Sequence, residues 1–386
     1  MIALWIFFVS TIFLYIAISS ALQIGIRRLP THRADNIPRV SVLIAAHNEE
    51  VNLSSCLDAL VANDYPVSHL EILVIDDRST DGTRAIAENY AARFFHVRVI
   101  ALDKLLDDMS GKASAICQAM DIARGEIILI IDADCLPSKQ WIRSMVSGFT
   151  PETGMAGGFT LLSNFQNPRD GFFSRVQNVD WIYLLSVGAG AAGLGKPVSI
   201  LGNNFGFRRE VYDAVGGYRR LGFSIIEDCA LMNAMISQTS WRVRFVLESD
   251  AAILSLPPLT WRAFIDQRKR WSAGGKEVSS FGKLLLIAGF LRHIATILGF
   301  IFIKPIALVI AGIFLVSLAD FSLLWHVSSR LRCRDALIYF PFFEIYFLLY
   351  SFLFAPVVAL PTTVRWKNVD YHWRFGRRVH KIKETQ

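Results

Sequence analysis

The sequence has few cysteines, and no two of them are close together along the chain. Five cysteines are scattered singly along the 386 residues, at Cys56, Cys117, Cys135, Cys229 and Cys333. Structural zinc sites need cysteine or histidine ligands at short, regular spacings, and disulfide frameworks need an even set of cysteines. The spacing therefore argues against both kinds of site, and it predicts reduced, mostly buried thiols.

The sequence also lacks a basic stripe interleaved with aromatic residues, although its net charge is +7. Domains that bind nucleic acid concentrate such charge on one face. Here the basic residues lie beside apolar segments, and they are densest in the C-terminal tail, at Arg365, Lys367, Arg374, Arg377, Arg378, Lys381 and Lys383. This distribution argues against a nucleic-acid partner and favours contact with anionic lipid headgroups.

Charged residues are absent from Ile2 to Ile26, and Arg27, Arg28 and Arg33 follow at once. An uncharged apolar run of this length crosses a bilayer as one helix, and positive residues stay on the cytoplasmic side. No basic region precedes the run, which is longer than the core of a signal peptide. We therefore predict an uncleaved anchor over residues 1–26, with its N-terminus outside and the following domain in the cytoplasm.

A second apolar region runs from Phe281 to Trp325, and a further one runs from Ala336 to Leu360. Two or three crossings fit this pattern. We favour two, with the part around Lys283 to Arg292 lying flat at the interface, because the basic tail then returns to the cytoplasm. The predicted divisions are a cytoplasmic domain over 27–280, a transmembrane region over 281–364 and a basic cytoplasmic tail over 365–386.

The middle of the chain alternates short aliphatic runs with amphipathic stretches. The runs from Glu71 to Ile75 and from Glu126 to Ile131 are typical of strands buried on both faces of a parallel sheet. The other predicted elements are a first strand at 40–45 and helices at 52–63, 83–93 and 112–124. This order predicts an α/β fold with a Rossmann-like, doubly wound sheet.

Acidic residues follow the predicted strands. Glu49 follows the predicted strand at 40–45, Asp76-Asp77 follows the run that ends at Ile75, and Asp132-Ala133-Asp134 follows the run that ends at Ile131. Ligands of doubly wound sheets bind beyond the carboxyl ends of the strands, so these residues should share one crevice. Crowded carboxylates need a cation among them, and oxygen ligands suit Mg2+ or Mn2+, which in turn bind diphosphate. A solvated turn over 77–82 is the alternative for that one segment.

Two further motifs follow the predicted sheet. Glu227-Asp228 opens a predicted helix, and the helix dipole there favours an ionised Asp228 that could accept the proton of an attacking hydroxyl. A plain helix cap is the alternative. Downstream, the segment from Gln267 to Trp271 consists of a glutamine, three cationic residues and a tryptophan. Arginine can bind diphosphate in a forked contact and tryptophan can stack on a sugar, whereas a juxtamembrane basic patch is the alternative.

Taken in order, these motifs resemble membrane-bound family 2 glycosyltransferases of the ceramide glucosyltransferase-like and polysaccharide synthase-like types. The segments that carry the resemblance are Ala45 to Glu50, Ile75 to Thr83, Gly111-Lys112, Asp132 to Asp134, Glu227-Asp228 and Gln267 to Trp271. The resemblance implies a GT-A fold. It also implies inverting transfer of a sugar from a nucleotide-diphosphate donor, with Mg2+ or Mn2+ as cofactor.

The resemblance also implies a role for each matching residue. It places Glu49, Asp76 and Asp77 at the nucleoside and Lys112 near the donor. Asp132 and Asp134 would serve the ribose, the diphosphate and the metal. Asp228 would be the general base, and the residues on the acceptor and diphosphate side would be Glu227, Gln267, Arg270 and Trp271.

These roles predict an inverting hexosyltransferase of the bacterial inner membrane that adds one sugar, from a UDP-sugar by default, to a lipid hydroxyl. The acceptor would be a ceramide-like, diacylglycerol, carotenoid or polyprenyl lipid. A processive polysaccharide synthase is the alternative, but it needs enough helices to wall a polar channel. A non-catalytic nucleotide-binding membrane protein is the second alternative. It should have lost some carboxylates, and this chain keeps all of the expected ones.

Overall fold

The structure is a computed structural model of the chain. It describes residues 1–30, 37–106, 109, 111–166, 171–224, 226–258, 260–274, 278–359, 362–366, 369–374 and 377–384. The described side chains end at Val357. Arg33 and the side chains of the predicted basic tail therefore lie outside the described part.

Within these residues, the α-helices are α1 (Ile2–Arg27), α2 (Leu53–Val61), α3 (Thr83–Arg93), α4 (Gly111–Met120), α5 (Trp141–Ser147), α6 (Phe172–Gly193), α7 (Arg209–Ala214), α8 (Gly217–Leu221), α9 (Glu227–Gln238), α10 (Trp261–Gly274), α11 (Ser280–Phe302), α12 (Ile306–Arg330) and α13 (Phe340–Ala359). The strands are β1 (Val40–Ala46), β2 (Leu70–Asp77), β3 (Val97–Leu102), β4 (Ile127–Ile131), β5 (Cys135–Pro137), β6 (Thr153–Gly157), β7 (Thr160–Leu162), β8 (Asn204–Arg208), β9 (Arg242–Phe245), β10 (Ile253–Ser255), β11 (Thr362–Trp366), β12 (Val369–Arg374) and β13 (Arg377–Glu384).

The chain divides into two compact units, neither of which is continuous in sequence. One unit, here called the sheet unit, comprises Leu29–Asp170 and Ser199–Pro257. The other, here called the helix unit, comprises Met1–Arg28, Gly171–Val198 and Pro258–Gln386. Helices α6 and α10, which fall inside the predicted domain over 27–280, are thus grouped with the apolar helices.

The sheet unit is built on a seven-stranded mixed sheet in the order β3-β2-β1-β4-β8-β6-β9. Strands β3, β2, β1 and β4 are parallel, and β8 then pairs antiparallel with both β4 and β6. The register sets Ala46 opposite Asp76, so the carboxyl ends of β1 and β2 are level. The predicted Rossmann-like doubly wound α/β fold is confirmed, with antiparallel pairing in its second half.

Burial explains which strands the sequence pattern predicted. All five residues of β4 are buried, and β1 and β2 are buried almost throughout, as expected of central parallel strands. Strand β3 was not predicted. It lies at the edge of the sheet, Arg98 interrupts its apolar residues, and only its two end residues are buried.

Side chains in the loop after β2 hold it to the loop after β1. Asn48 has a φ of 57°, a left-handed conformation that asparagine tolerates better than most residues. Its side-chain oxygen accepts a hydrogen bond from the backbone N–H of Thr80 at 2.8 Å, and its own N–H donates to Ser79 at 3.0 Å. Asp81 accepts from the N–H of Thr83 at 3.0 Å. Ser79 and Asp81 therefore shape the turn, as the alternative interpretation of this segment expected.

In the helix unit, four helical segments of the described chain are long and apolar enough to cross a membrane. They are Ile2–Arg27, Ser280–Phe302, Ile306–Arg330 and Arg334–Val357. The predicted N-terminal span is therefore matched, but our preference for two C-terminal spans is corrected to three. If all three cross the membrane after a cytoplasmic domain, the tail lies outside rather than in the cytoplasm.

The miscount came from treating charged residues as interruptions of the apolar runs. Arg292 lies inside α11, where its Nη1 is 2.6 Å from Oδ2 of Asp320 on α12. The hydroxyl of Tyr15 donates to Oδ1 of Asp320 at 2.7 Å, and it lies 2.7 Å from the hydroxyl of Tyr183 on α6. Charged groups that are paired within a bundle of this kind need not end a membrane helix.

Helices α1 and α6 touch backbone to backbone. A Cβ atom added at Gly25 would lie 2.0 Å from the carbonyl oxygen of Gly190, and one added at Gly193 would lie 2.0 Å from the carbonyl oxygen of Gly25. Small residues permit this close approach, which brings many atoms of two helices into van der Waals contact. Glycine is therefore required at these positions for packing.

We expect Gly25→Val to lower the melting temperature of the purified protein, because the added atoms force the two helices apart. Overpacking of this kind typically costs about 1–3 kcal/mol. Gly289→Val on α11 is the matched control, since a Cβ atom there would meet nothing within 4 Å. Equal melting temperatures for the two variants would contradict the close contact.

Candidate active site

Three acidic residues lie at or just beyond the carboxyl ends of the neighbouring strands β1 and β2. Asp76 and Asp77 end β2 and are buried. Oδ1 of Asp76 accepts from the N–H of Ser79 at 3.1 Å, and Nδ1 of His47 donates to the carbonyl oxygen of Asp77 at 2.6 Å. Glu49 follows β1, and its carboxylate accepts from Nδ2 of Asn52 at 2.9 Å. The predicted nucleoside-side residues thus lie at the adjoining ends of β1 and β2.

Lys112, near the start of α4, joins two segments of this edge. Its ammonium group forms an ion pair with the carboxylate of Asp132, the residue that follows β4. It also donates to the carbonyl oxygen of Gly202 at 2.9 Å. Burial alone would lower the pKa of Lys112, but the carboxylates of Asp132 and Glu227 raise it above its ordinary value. Lys112 therefore stays positively charged.

Asp228 lies in the first turn of α9 and is buried, with 8% of its surface exposed. Its Oδ1 accepts from the N–H of Cys229 at 2.7 Å. The residue before α9 at the N-cap position is Ile226, so Asp228 is not the plain helix cap that we considered as an alternative. Burial, followed by the nearby carboxylate of Glu227, raises the pKa of Asp228 to about 7.

Gly202 brings Asp228 and Lys112 onto one surface. A Cβ atom at Gly202 would lie 2.9 Å from Oδ2 of Asp228 and 3.7 Å from Nζ of Lys112. The backbone therefore approaches both charged groups so closely that a larger residue would have to displace Asp228. We did not predict this contact, because a glycine before a strand gives no signal of what it approaches.

Among the described side chains, no group of three or more histidine, cysteine, aspartate or glutamate residues is arranged to hold a metal ion alone. Asp132 and Asp134 nevertheless suit the predicted ion. Magnesium is usually held by one or two carboxylates together with substrate phosphates, rather than by a complete protein cage. Asp132 is 37% exposed and already attracts one cation, the ammonium group of Lys112. The donor set therefore fits Mg2+ or Mn2+.

The thiols near this edge are not candidate ligands. Cys56 and Cys135 are free and buried. Burial, together with the carboxylates of Asp134 and Asp132, raises the pKa of both thiols above the ordinary value. The prediction of reduced, mostly buried cysteines is consistent with four buried free thiols and one, Cys333, that is half-buried.

The remaining predicted site residues, Gln267, Arg270 and Trp271, lie on α10 in the helix unit. The ring of Trp271 packs against that of Trp181 on α6, with centroids 4.9 Å apart. Oε1 of Gln267 is buried and has no hydrogen-bond partner among the described residues. These three residues belong to the helix unit, whereas Asp228 and Lys112 belong to the sheet unit.

Sequence reasoning missed the residue of this motif that is most deeply buried. Nη1 of Arg268 is 2.6 Å from Oδ2 of Asp180 on α6, and both side chains are 0% exposed. We interpreted Arg268 as one member of a cationic cluster. A usable signal was present in α6, where Asp180 is the one acidic residue in an otherwise mostly apolar stretch.

Residues 41–216 match the sequence profile described as Glycosyl transferase family 2. Probable glycosyltransferase YdaM of Bacillus subtilis (strain 168) is 29% identical over 259 residues, which are 65% of this chain and 59% of that protein. Beta-monoglucosyldiacylglycerol synthase of Nostoc sp. (strain PCC 7120) is 26% identical over 240 residues, 62% of this chain and 49% of that protein. The chain thus spans about half the length of these curated relatives.

Among solved structures, the mannosyltransferase PcManGT from Pyrobaculum calidifontis, in complex with GDP-Man and Mn2+, superposes with a TM-score of 0.54. It is 20% identical, and the match covers 93% of this chain and 97% of that one. Similarity at this level of identity shows the fold alone, and it agrees with the GT-A fold that the motifs implied. Residues 41–216 therefore match glycosyl transferase family 2, and the fold is GT-A.

Proposed function

We propose that this protein is an inverting hexosyltransferase that transfers one sugar from a nucleotide-diphosphate-sugar, a UDP-sugar by default, to the hydroxyl group of a membrane lipid. The observation that carries this proposal is Asp228, a buried carboxylate whose pKa is raised to about 7 beside the charged Lys112–Asp132 pair. A base is most effective when its pKa lies near the working pH. Asp228 is therefore suited to removing a proton from an acceptor hydroxyl.

In the proposed reaction, the carboxylate of Asp228 accepts the proton of the acceptor hydroxyl as its oxygen bonds to the anomeric carbon. The bond between that carbon and the diphosphate oxygen breaks, and the nucleoside diphosphate leaves with the electron pair. Negative charge then develops on the diphosphate, where fixed positive charge is most effective. Lys112 provides such charge, while Glu49, Asp76 and Asp77 are proposed to bind the nucleoside.

Asp132 and Asp134 are proposed to hold Mg2+ or Mn2+. A divalent ion there would supply further positive charge to the diphosphate. PcManGT, which shares the fold, was solved with Mn2+. In our proposal Asp132 also keeps Lys112 in place, because their ion pair joins the end of β4 to the start of α4.

We expect Asp134→Ala to abolish metal-dependent donor binding while leaving the fold intact. The variant removes one of the two proposed carboxylate ligands, so the ion loses half of its protein ligands and the donor should lose its metal-dependent affinity with them. Isothermal titration with UDP-glucose, in Mg2+ or Mn2+ and then with a chelator, measures the effect. Asp121→Asn is the control, since Asp121 forms an exposed ion pair with Arg219. Metal-dependent binding by Asp134→Ala at wild-type affinity would contradict the assignment.

Two observations support a lipid acceptor. Four helical segments of the described chain are long and apolar enough to cross a membrane, and the relative from Nostoc is named for glucosyldiacylglycerol synthesis. We propose that the protein lies in the bacterial inner membrane with its glycosyltransferase domain in the cytoplasm. Glu227, Gln267, Arg270 and Trp271 remain our proposed residues for the acceptor and diphosphate side.

Mass spectrometry of membrane lipids tests the proposed function directly. Membranes with wild-type protein or with Asp228→Asn are supplied with a panel of nucleotide-sugars and Mg2+ or Mn2+. We expect a lipid that is one hexose heavier in the wild-type sample alone. A growing polymer would support the processive synthase instead. No sugar transfer from any donor would favour a non-catalytic nucleotide-binding protein.

A further inference from the structure

The buried faces of α6 and α10 meet at an ion pair that leaves part of its hydrogen-bonding capacity unused. Oδ2 of Asp180 contacts Nη1 of Arg268 at 2.6 Å and accepts from the hydroxyl of Tyr346 at 3.3 Å. Oδ1 of Asp180 is buried without a hydrogen-bond partner among the described residues. The pair therefore neutralises its charges but leaves one carboxylate oxygen free to accept.

Further buried polar atoms without partners lie on neighbouring residues of α6 and on α10. Gln177 is 0% exposed, and neither its Oε1 nor its Nε2 has a partner in the described part of the chain. The same is true of Nε1 of Trp181 and of Oε1 of Gln267. Gln177, Asp180 and Trp181 are three and four residues apart, so they lie on one face of α6. On this face, the ring of Trp181 contacts α10 by packing against the ring of Trp271.

Buried polar atoms of folded proteins are almost always paired, because leaving them unpaired costs the free energy of their lost hydration. Three acceptors and two donor groups remain on these four residues, and Nε and Nη2 of Arg268 also have no hydrogen-bond partner among the described residues. One hydroxyl group donates a single hydrogen bond and accepts two, so it cannot satisfy this set. Several hydroxyl groups on one ligand can. A charged ligand is disfavoured, because Arg268 and Asp180 already neutralise each other.

The surroundings of this cluster indicate where such a ligand comes from. Helix α6 packs against α1, α12 and α13, and each of these belongs to a segment of membrane-spanning length. The ring of Trp271 packs against that of Trp181, and the guanidinium group of Arg268 lies 4.6 Å from the centroid of the Trp271 ring. Hydroxyl-rich groups reach membrane helices as the headgroups of lipids.

We infer that α6 and α10 bind the polyhydroxylated headgroup of a membrane lipid, a sugar or another polyol, through Gln177, Asp180, Trp181 and Gln267. This inference extends the proposed function. It rests on that function only in identifying the lipid as the acceptor or the product of sugar transfer. Binding of the lipid headgroup does not require sugar transfer, so each proposal can be disproved without disproving the other.

Gln177→Leu provides a sharp test, because the side-chain atoms that it removes have no protein partner. If the site is empty of ligand in the purified protein, the variant should fold with an unchanged or higher melting temperature. Ser186→Ala on the same helix is the matched control. Ser186 is also buried, and its hydroxyl donates only to the carbonyl oxygen of Ile182 within the helix, at 2.6 Å.

The probes are monoglucosyl-dioleoylglycerol, phosphatidylinositol and dioleoylglycerol, each incorporated in phosphatidylcholine nanodiscs without nucleotide-sugar. Binding is followed by tryptophan fluorescence and by native mass spectrometry. We expect one polyhydroxylated lipid to bind at least about tenfold more tightly than dioleoylglycerol, and Gln177→Leu to lose that preference. Preference for the glucolipid would identify the source as the product of transfer, and preference for phosphatidylinositol would identify a polyol headgroup.

Equal binding of all three lipids, or an unchanged preference in Gln177→Leu, would show that water alone fills the cluster and would overturn the inference. Sugar transfer by wild-type protein is measured in parallel, with Asp228→Asn as the inactive comparison. Loss of lipid binding with transfer intact, or the reverse, separates this inference from the proposed function.

Discussion

Asp228→Asn should lose sugar transfer by at least about a hundredfold while still binding the donor, since general base catalysis contributes roughly 10²–10⁴-fold. Asparagine has the same shape, and its side-chain oxygen can still accept from the N–H of Cys229. It cannot accept a proton from an acceptor hydroxyl. Donor affinity by titration and turnover by lipid mass spectrometry separate the two effects. Near-normal turnover would show that Asp228 is not the base.

The raised pKa of Asp228 gives this prediction a pH dependence. Transfer needs the ionised carboxylate, so the rate should rise with pH up to about 7 and then level off. For stability the sign is opposite. A carboxyl group whose pKa is raised on folding stabilises the native state below its ordinary pKa, and this contribution is lost as pH rises through about 7. Asp228→Asn should therefore be more resistant to denaturation than the wild type at pH 8.

Removal of one partner of the Asp180–Arg268 pair should give the largest loss of stability. Breaking a fully buried ion pair leaves an uncompensated charge and costs about 3–5 kcal/mol. We expect Asp180→Leu and Arg268→Met each to lower the melting temperature strongly. The double variant should recover most of the loss, because replacement of a buried pair by apolar residues is often neutral.

A double-mutant cycle on the purified protein in detergent measures this coupling. Lys269→Met is the control, since it removes a charge from the same helix beside the buried pair. If the double variant were as unstable as the sum of the two single variants, the two side chains would not be coupled and the contact would be wrong.

The sequence was sufficient to predict the first half of the sheet and the place of its acidic residues. Central parallel strands are buried on both faces, so β1, β2 and β4 appear as aliphatic runs, and their carboxyl ends mark the site. Edge strand β3 carries Arg98 among its apolar residues and is buried only at its two ends. The Lys112–Gly202 contact joins segments that are distant in sequence, and no local pattern encodes the approach of a backbone carbonyl.

The same limit explains the errors in the helix unit. A charge in an apolar run shows that a partner is needed, but it does not show where the partner lies. Arg292 pairs with Asp320 on the next helix. Arg268 on α10 pairs with Asp180 on α6, which lies much earlier in the sequence. Without those partners, the charges of α11 suggested an interfacial helix, and Arg268 resembled part of an exposed basic patch.

The discontinuity of the two units has a practical consequence for preparing the glycosyltransferase domain by itself. A truncated protein that begins after α1 and stops before α11 still carries α6 and α10, which belong to the helix unit. It would expose their apolar faces, including the glycines that α1 covers, and should aggregate. A soluble version requires deletion of 171–198 with a short linker in its place, in addition to removal of 1–28 and of everything after 257.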